Sequence, residues 1–167
     1  MNIYVGDAGD VVKRILTNHC SLSSNVEASA LRIAVAESMG YRLRRTRRPS
    51  GSTKVRIDLP NPREGENMVS AYIRSGEWKY VICESYDEAH DFQWCVIDQL
   101  KPILNKKVQS WDIQKNLRYQ SLVKQLLLSN PLSYTELSKE HSGPGVYVLF
   151  HGLTPKEFLE KMLLENR

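Results

Sequence analysis

Two tyrosines, an arginine, a histidine and a helix-borne amide are the residues of this 167-residue chain whose types and spacing suit joint chemistry. Tyr4 and Tyr147 each lie in a short β-branched run beside a glycine, as Tyr4-Val5-Gly6 and Gly145-Val146-Tyr147. Arg14 stands one helix-start after the first run, and His19 follows it. Such a set suits phosphodiester hydrolysis, in which water is activated, a pentacovalent phosphate stabilised and a leaving oxygen protonated or neutralised. That chemistry asks for a general base, a cation and usually a divalent metal.

Other chemistries have less to stand on. His19, His90, His141 and His151 are scattered, without the spacing of a zinc site. There is no Gly-x-Ser-x-Gly, no P-loop and no dinucleotide fingerprint, and Gly6-Asp7-Ala8-Gly9 is too short a match to claim one.

The elements that must position these residues can be read in outline. Asn2 to Gly6 reads as a strand, and Gly143 to Phe150 as a second one entered through a Gly/Pro turn. Gly9-Asp10 caps a helix from Val11 to His19, and a second helix runs from Glu27 to Met39, closed by Gly40. Lys54 to Leu59 alternates as a half-exposed strand before Pro60 and Pro62, a turn or short helix covers Arg63 to Ser75, and Trp78 to Cys83 reads as a central strand.

Asp87 then opens a helix reaching Leu100, whose stripe Ala89, Phe92, Val96, Ile97 and Leu100 also contains Gln93, so that its amide should face the sheet. Pro102 ends that helix. A further helix spans Ile113 to Leu128, Leu132 to His141 adds a helical turn, and Thr154-Pro155 caps a final amphipathic helix. The expected fold is α/β of the α+β type: one domain over 1–167, with a helical insert at 106–142. Its small, mainly antiparallel sheet would comprise Ile3–Gly6, Lys54–Leu59, Trp78–Cys83 and Val146–Phe150.

The net charge of +4 is unevenly spread, because Arg42, Arg44, Arg45, Arg47, Arg48, Lys54 and Arg56 crowd into one region beside Ser50-Gly51-Ser52-Thr53. Arginines so placed suit phosphate contacts, and Arg32 is expected to face the same region; DNA is the expected partner. The odd set Cys20, Cys83 and Cys95 has no paired spacing, and no secretory h-region or long apolar run is evident. A reduced, cytoplasmic setting is the expectation.

Taken together, Gly145-Val146-Tyr147 and Tyr4-Val5-Gly6 resemble the two-part signature of the GIY-YIG nucleases. Arg14 stands where that family keeps its arginine after the second tyrosine. Ala28-Ser29-Ala30-Leu31-Arg32 resembles the serine-leucine-arginine helix of one bacterial branch, and Pro102 with Asn105 matches the family's proline-to-asparagine helix exit. The resemblance implies a metal-dependent DNA endonuclease of restriction or repair type, using Mg2+ or Mn2+. It further implies that Tyr4 and Tyr147 flank the scissile phosphate, one of them orienting or deprotonating water, that Arg14 binds the phosphate as its charge grows, and that Asn105 holds the site's geometry.

This chain departs from the family pattern in three ways. The strand that the family places first comes last here, so the domain is either circularly permuted, with its tail folding back in cis, or completed by another chain as in a strand-swapped homodimer. His19 falls one place later than the family's usual histidine, and Asp7 sits where some members have lysine. Most consequentially, the metal-binding glutamate is replaced by Gln93, a neutral near-isostere and a poor ligand for a hard divalent cation. Three explanations stay open: an engineered inactive variant, a natural protein that binds nucleic acid without cutting, or a site using another acid such as Glu84, Glu88 or Asp91.

Overall fold

The computed structural model describes all 167 residues and is α+β, divided into two compact units that each draw on separated stretches of chain. Residues 1–16 and 76–151 form the first unit; residues 17–75 and 152–167 form the second.

The first unit is built on a three-stranded antiparallel sheet in the order β1 (Asn2–Ala8), β5 (Gly145–Phe150), β4 (Glu77–Ile82). The strand late in the chain is therefore the central one. It meets β1 with Val5 opposite Val148 and Gly6 opposite Tyr147, and meets β4 with Tyr80 opposite Tyr147. Alternation then sorts the side chains. Val5, Val146, Val148 and Val81 turn toward helices α4 (Tyr86–Leu100) and α5 (Asn116–Leu128), where Phe92, Val96, Tyr119 and Leu126 complete the core. Tyr4, Gly6, Tyr147 and Leu149 share the other face, by the register.

The exposed flank of β4 is partly covered by Leu132, which bridges to Trp78. Helix α4 begins at Ser85, whose hydroxyl accepts from Glu88 N, and ends at Lys101 in the left-handed conformation. Helix α1 is short: Val11–Lys13 is α-helical, capped by Asp10, and Arg14–His19 continues it as a π-helix.

The second unit contains α2 (Ala30–Ser38), α3 (Pro62–Ser75), α6 (Pro155–Glu165) and a separate two-stranded ribbon of β2 (Leu43–Arg47) and β3 (Thr53–Ile57). Val69, Tyr72 and Ile73 form the buried stripe of α3, and the Tyr72 and Phe158 rings meet edge to face at 5.4 Å. Gly65 is the point of close approach, since a Cβ there would lie 2.8 Å from Ile57 Cδ1.

Two expectations are corrected here. Lys54–Leu59 is no strand of the central sheet: Thr53–Ile57 pairs with the arginine run itself, which forms β2. A five-residue connection with Gly51 at φ +89° and a hydrogen bond from Arg48 N to Ser52 O closes that hairpin, so the local partner wins at small loop-closure cost. The stretch read as a turn or short helix from Arg63 to Ser75 is a full helix of 14 residues, started by Pro62 in its first turn.

Candidate functional site

The pairing of β1 with β5 sets Tyr4 and Tyr147 on one face around Gly6. The ring of Tyr147 crosses directly over that glycine: a Cβ on Gly6 would lie 2.6 Å from Tyr147 Cζ. Gly145 is as tightly held, with a Cβ there meeting Val11 Cγ2 at 3.0 Å and the Val81 carbonyl carbon at 3.1 Å. Both glycines thus admit neighbours that any side chain would displace.

Arg14, the first residue of the π-helical turn, hydrogen-bonds Tyr147, and its charge also acts on Tyr4. Burial pushes both phenols above their ordinary range, and the cation only partly offsets it. Neither tyrosine is a ready base at neutral pH. Each keeps its proton near neutrality, and Arg14 supplies the positive charge beside them.

Asn105 clamps the outer edge of β1 at the residue between Tyr4 and Gly6. Its Oδ1 accepts from Val5 N at 2.8 Å and its Nδ2 donates to Val5 O at 2.9 Å. Ile103 N and Leu104 N donate to Asn2 O and Ile3 O, so the exit of α4 continues the ladder along an otherwise open edge. Asn105 thus holds Val5, the residue between Tyr4 and Gly6, by both of its backbone groups.

Gln93 is buried on the sheet-facing side of α4, as its stripe requires. Its amide lies 3.2 Å from His90 Nδ1, and that nitrogen lies 2.9 Å from Asp7 Oδ2. A carboxylate only accepts, so the bond to Asp7 needs the hydrogen on Nδ1, and Gln93 Nε2, itself a donor, then makes no hydrogen bond to that nitrogen. Sequence reasoning passed over His90 as one of four scattered histidines. Its spacing from Gln93 put the two on one helix face, but Asp7 could join them only once β1 was placed. Asp7 stands one register position from Gly6, and its negative charge adds to the rise of both tyrosine pKa values.

A divalent cation does not fit the residues present. Asp7 is the carboxylate beside Gln93 and His90; of the alternative acids, Glu88 and Asp91 are held by other partners, and Glu84 is exposed. Glu88 is gripped by the Arg118 guanidinium at 2.7 and 2.9 Å and Glu84 lies 3.4 Å from the same group, while Asp91 accepts from Tyr119 Oη at 2.5 Å and from Asp112 N. No group of three histidine, cysteine, aspartate or glutamate side chains converges anywhere in the chain.

Comparison with protein-family models finds no match, and none of significance appears among curated proteins or solved structures.

Two expected site residues are built into the interior of the second unit instead. His19 is 1% exposed, with Nδ1 on Ser29 Oγ at 2.8 Å, so it offers no face to a substrate water. Arg32 is fully buried and does not join the basic surface. Its guanidinium donates to the carbonyls of His19, Ser24, Asn25 and Glu66 and to Ser70 Oγ, and burial lowers its pKa to about 10. A cation this deep persists because each of its three guanidinium nitrogens finds an oxygen acceptor.

The rest of the basic cluster is carried by the β2–β3 ribbon. Arg56 holds the buried Glu66 carboxylate at 2.7 and 2.9 Å, and Arg48 pairs with Glu27, whose other oxygen accepts from Val55 N. These two arginines fasten the ribbon. Arg42, Arg44, Arg45, Arg47 and Lys54 are exposed. No helix is long and apolar enough to cross a membrane.

Proposed function

We propose that this chain is a circularly permuted GIY-YIG-type scaffold for metal-dependent DNA endonuclease chemistry, of restriction or repair type, with its metal-binding position altered to Gln93. The observation that carries the reading is the reassembly of the split signature in cis: Gly6 lies opposite Tyr147, Tyr4 shares their face, and Arg14 bonds Tyr147. Within this chain β5 pairs with both β1 and β4, which supports the cis form of the permutation.

In this reading Arg14 takes up charge building on the phosphate, while Tyr4, still protonated, donates to a phosphate or leaving oxygen. Asn105 keeps Val5, and with it Tyr4, in register. Mg2+ or Mn2+ belongs to the form with glutamate at position 93; no step is assigned to it in the chain as it stands.

The test is the Gln93→Glu protein incubated with supercoiled plasmid and magnesium. Nicked or linear DNA is expected from that variant and none from the parent. Absence of cleavage by the variant across varied DNA substrates would overturn the enzyme reading. The engagement of Glu88 by Arg118 and of Asp91 by Tyr119 favours one alternative, a non-catalytic nucleic-acid-binding protein on the same scaffold. It predicts salt-dependent binding with no cutting by either form.

A further inference from the structure

The β2–β3 ribbon is basic and is fastened to its unit near both ends, by Arg48 in its turn and by Arg56 near its base. Its register places Arg44 opposite Arg56 and Thr46 opposite Lys54, so these four share one face, while Leu43, Ile57, Arg45, Val55, Arg47 and Thr53 share the other. Val55 and Ile57 are buried and root that second face in the unit's core. Glu27 neutralises Arg48 in the turn, and Glu66 neutralises Arg56 beside Ile57 near the base. Beyond those anchors the nearest acidic partners are loose: Arg44 lies 3.9 Å from Asp58 and Arg45 3.7 Å from Glu37, with both arginine side chains more than half exposed. Exposed pairs of this kind contribute little and yield readily to a phosphate.

We infer that this ribbon is a docking element for double-stranded DNA, entering the major groove with Arg44, Thr46 and Lys54 toward the base edges and Arg42 and Arg47 toward the phosphates. A two-stranded ribbon is one of the two protein elements that the major groove, about 12 Å wide, admits. Residues 42–57 contain no aromatic side chain, so the ribbon lacks the stacking platform by which proteins hold single strands. The deep, narrow major groove of duplex RNA excludes it. The inference supplies the mode of DNA engagement for the proposed function, but it is read by binding alone.

The experiment is fluorescence anisotropy of the parent protein, without added metal, on a labelled 20-base-pair duplex DNA, the corresponding single strand and the corresponding duplex RNA, across a salt series. The duplex DNA is expected to bind at least tenfold more tightly than either competitor. The quadruple variant Arg42→Ser, Arg44→Ser, Arg47→Ser, Lys54→Ser, its fold checked by an unchanged thermal melt, should flatten the log–log salt dependence by roughly two, about one for each phosphate-directed arginine. Equal affinity for the single strand or the RNA overturns the inference, as does an unchanged salt slope in the folded variant. Loss of cleavage by the Gln93→Glu protein with duplex binding intact would instead count against the nuclease reading alone.

Discussion

The Tyr147 ring lies across Gly6 so closely that the two positions form one steric unit shared between β1 and β5. A Gly6→Ala substitution must therefore push the phenol or part the strands. It is expected to destabilise the protein by about 1–3 kcal/mol, the usual cost of overpacking. Removing the ring as well, in Gly6→Ala with Tyr147→Leu, should cost less than the sum of the single changes. A double-mutant cycle by urea denaturation measures that coupling, and strict additivity would contradict the contact.

Asn105 serves β1 as a missing neighbour strand would. In Asn105→Ala the Val5 amide and carbonyl lose their partners, at an expected cost of about 1–3 kcal/mol. Asn105→Asp should also be damaging, because a carboxylate cannot donate to Val5 O. Hydrogen exchange at the Val5 amide should accelerate in both variants, more than at Val148 in the central strand.

Within the Gln93→Glu background, Arg14→Ala should lower cleavage about 10²–10³-fold, the scale set by loss of one preorganised charge-stabilising donor. Equilibrium binding of duplex DNA should change far less. Single-turnover cleavage measured beside anisotropy separates the two effects.

Glu27 and Glu88 each hold a pKa below the ordinary 4.5, Glu27 chiefly through the Val55 amide and Glu88 chiefly through the Arg118 guanidinium. A carboxylate with a lowered folded-state pKa stabilises fully above its unfolded value and loses that contribution as pH falls through the folded one. Thermal stability should thus be level near neutrality and fall as pH drops below about 4.5. Glu27→Gln and Glu88→Gln should each shrink that acid-side loss, which pH-dependent melting checks.

All three cysteines are buried, and burial pushes the Cys20 and Cys83 thiols up to about 12. Native protein should react slowly with a thiol-specific reagent, and urea should release three equivalents. Rapid labelling of any thiol in the folded state would contradict this packing.

The pairing of the two ends was legible because both strands carry a tyrosine and a glycine in mirrored order, and the α4 stripe was legible from its helical period. The cluster of Asp7, His90 and Gln93 was not, since nothing local to Asp7 points to a helix more than eighty residues away. Arg32 was misread for a related reason. A run of nearby arginines makes a surface plausible, but five acceptors drawn from three segments of chain take this one inside. The ribbon was missed in part because arginine is not a β-former by preference, and β2 exists through its turn and its partner.

The central strand β5 is made long after β1, which bears on how the protein reaches its native state. During synthesis at about 5–20 residues per second, β1 waits roughly 7–30 seconds before its partner exists. Throughout that interval Val5 and the backbone of Asn2–Ala8 present an unfilled edge. Closing the sheet then joins residues nearly 150 positions apart, with Met1 N donating to His151 O at 2.9 Å and His151 N to Met1 O. Contacts of such long range slow folding, so the first unit should form late, after β5 has been made. A nascent chain stalled before Gly145 is accordingly the species most in need of a chaperone.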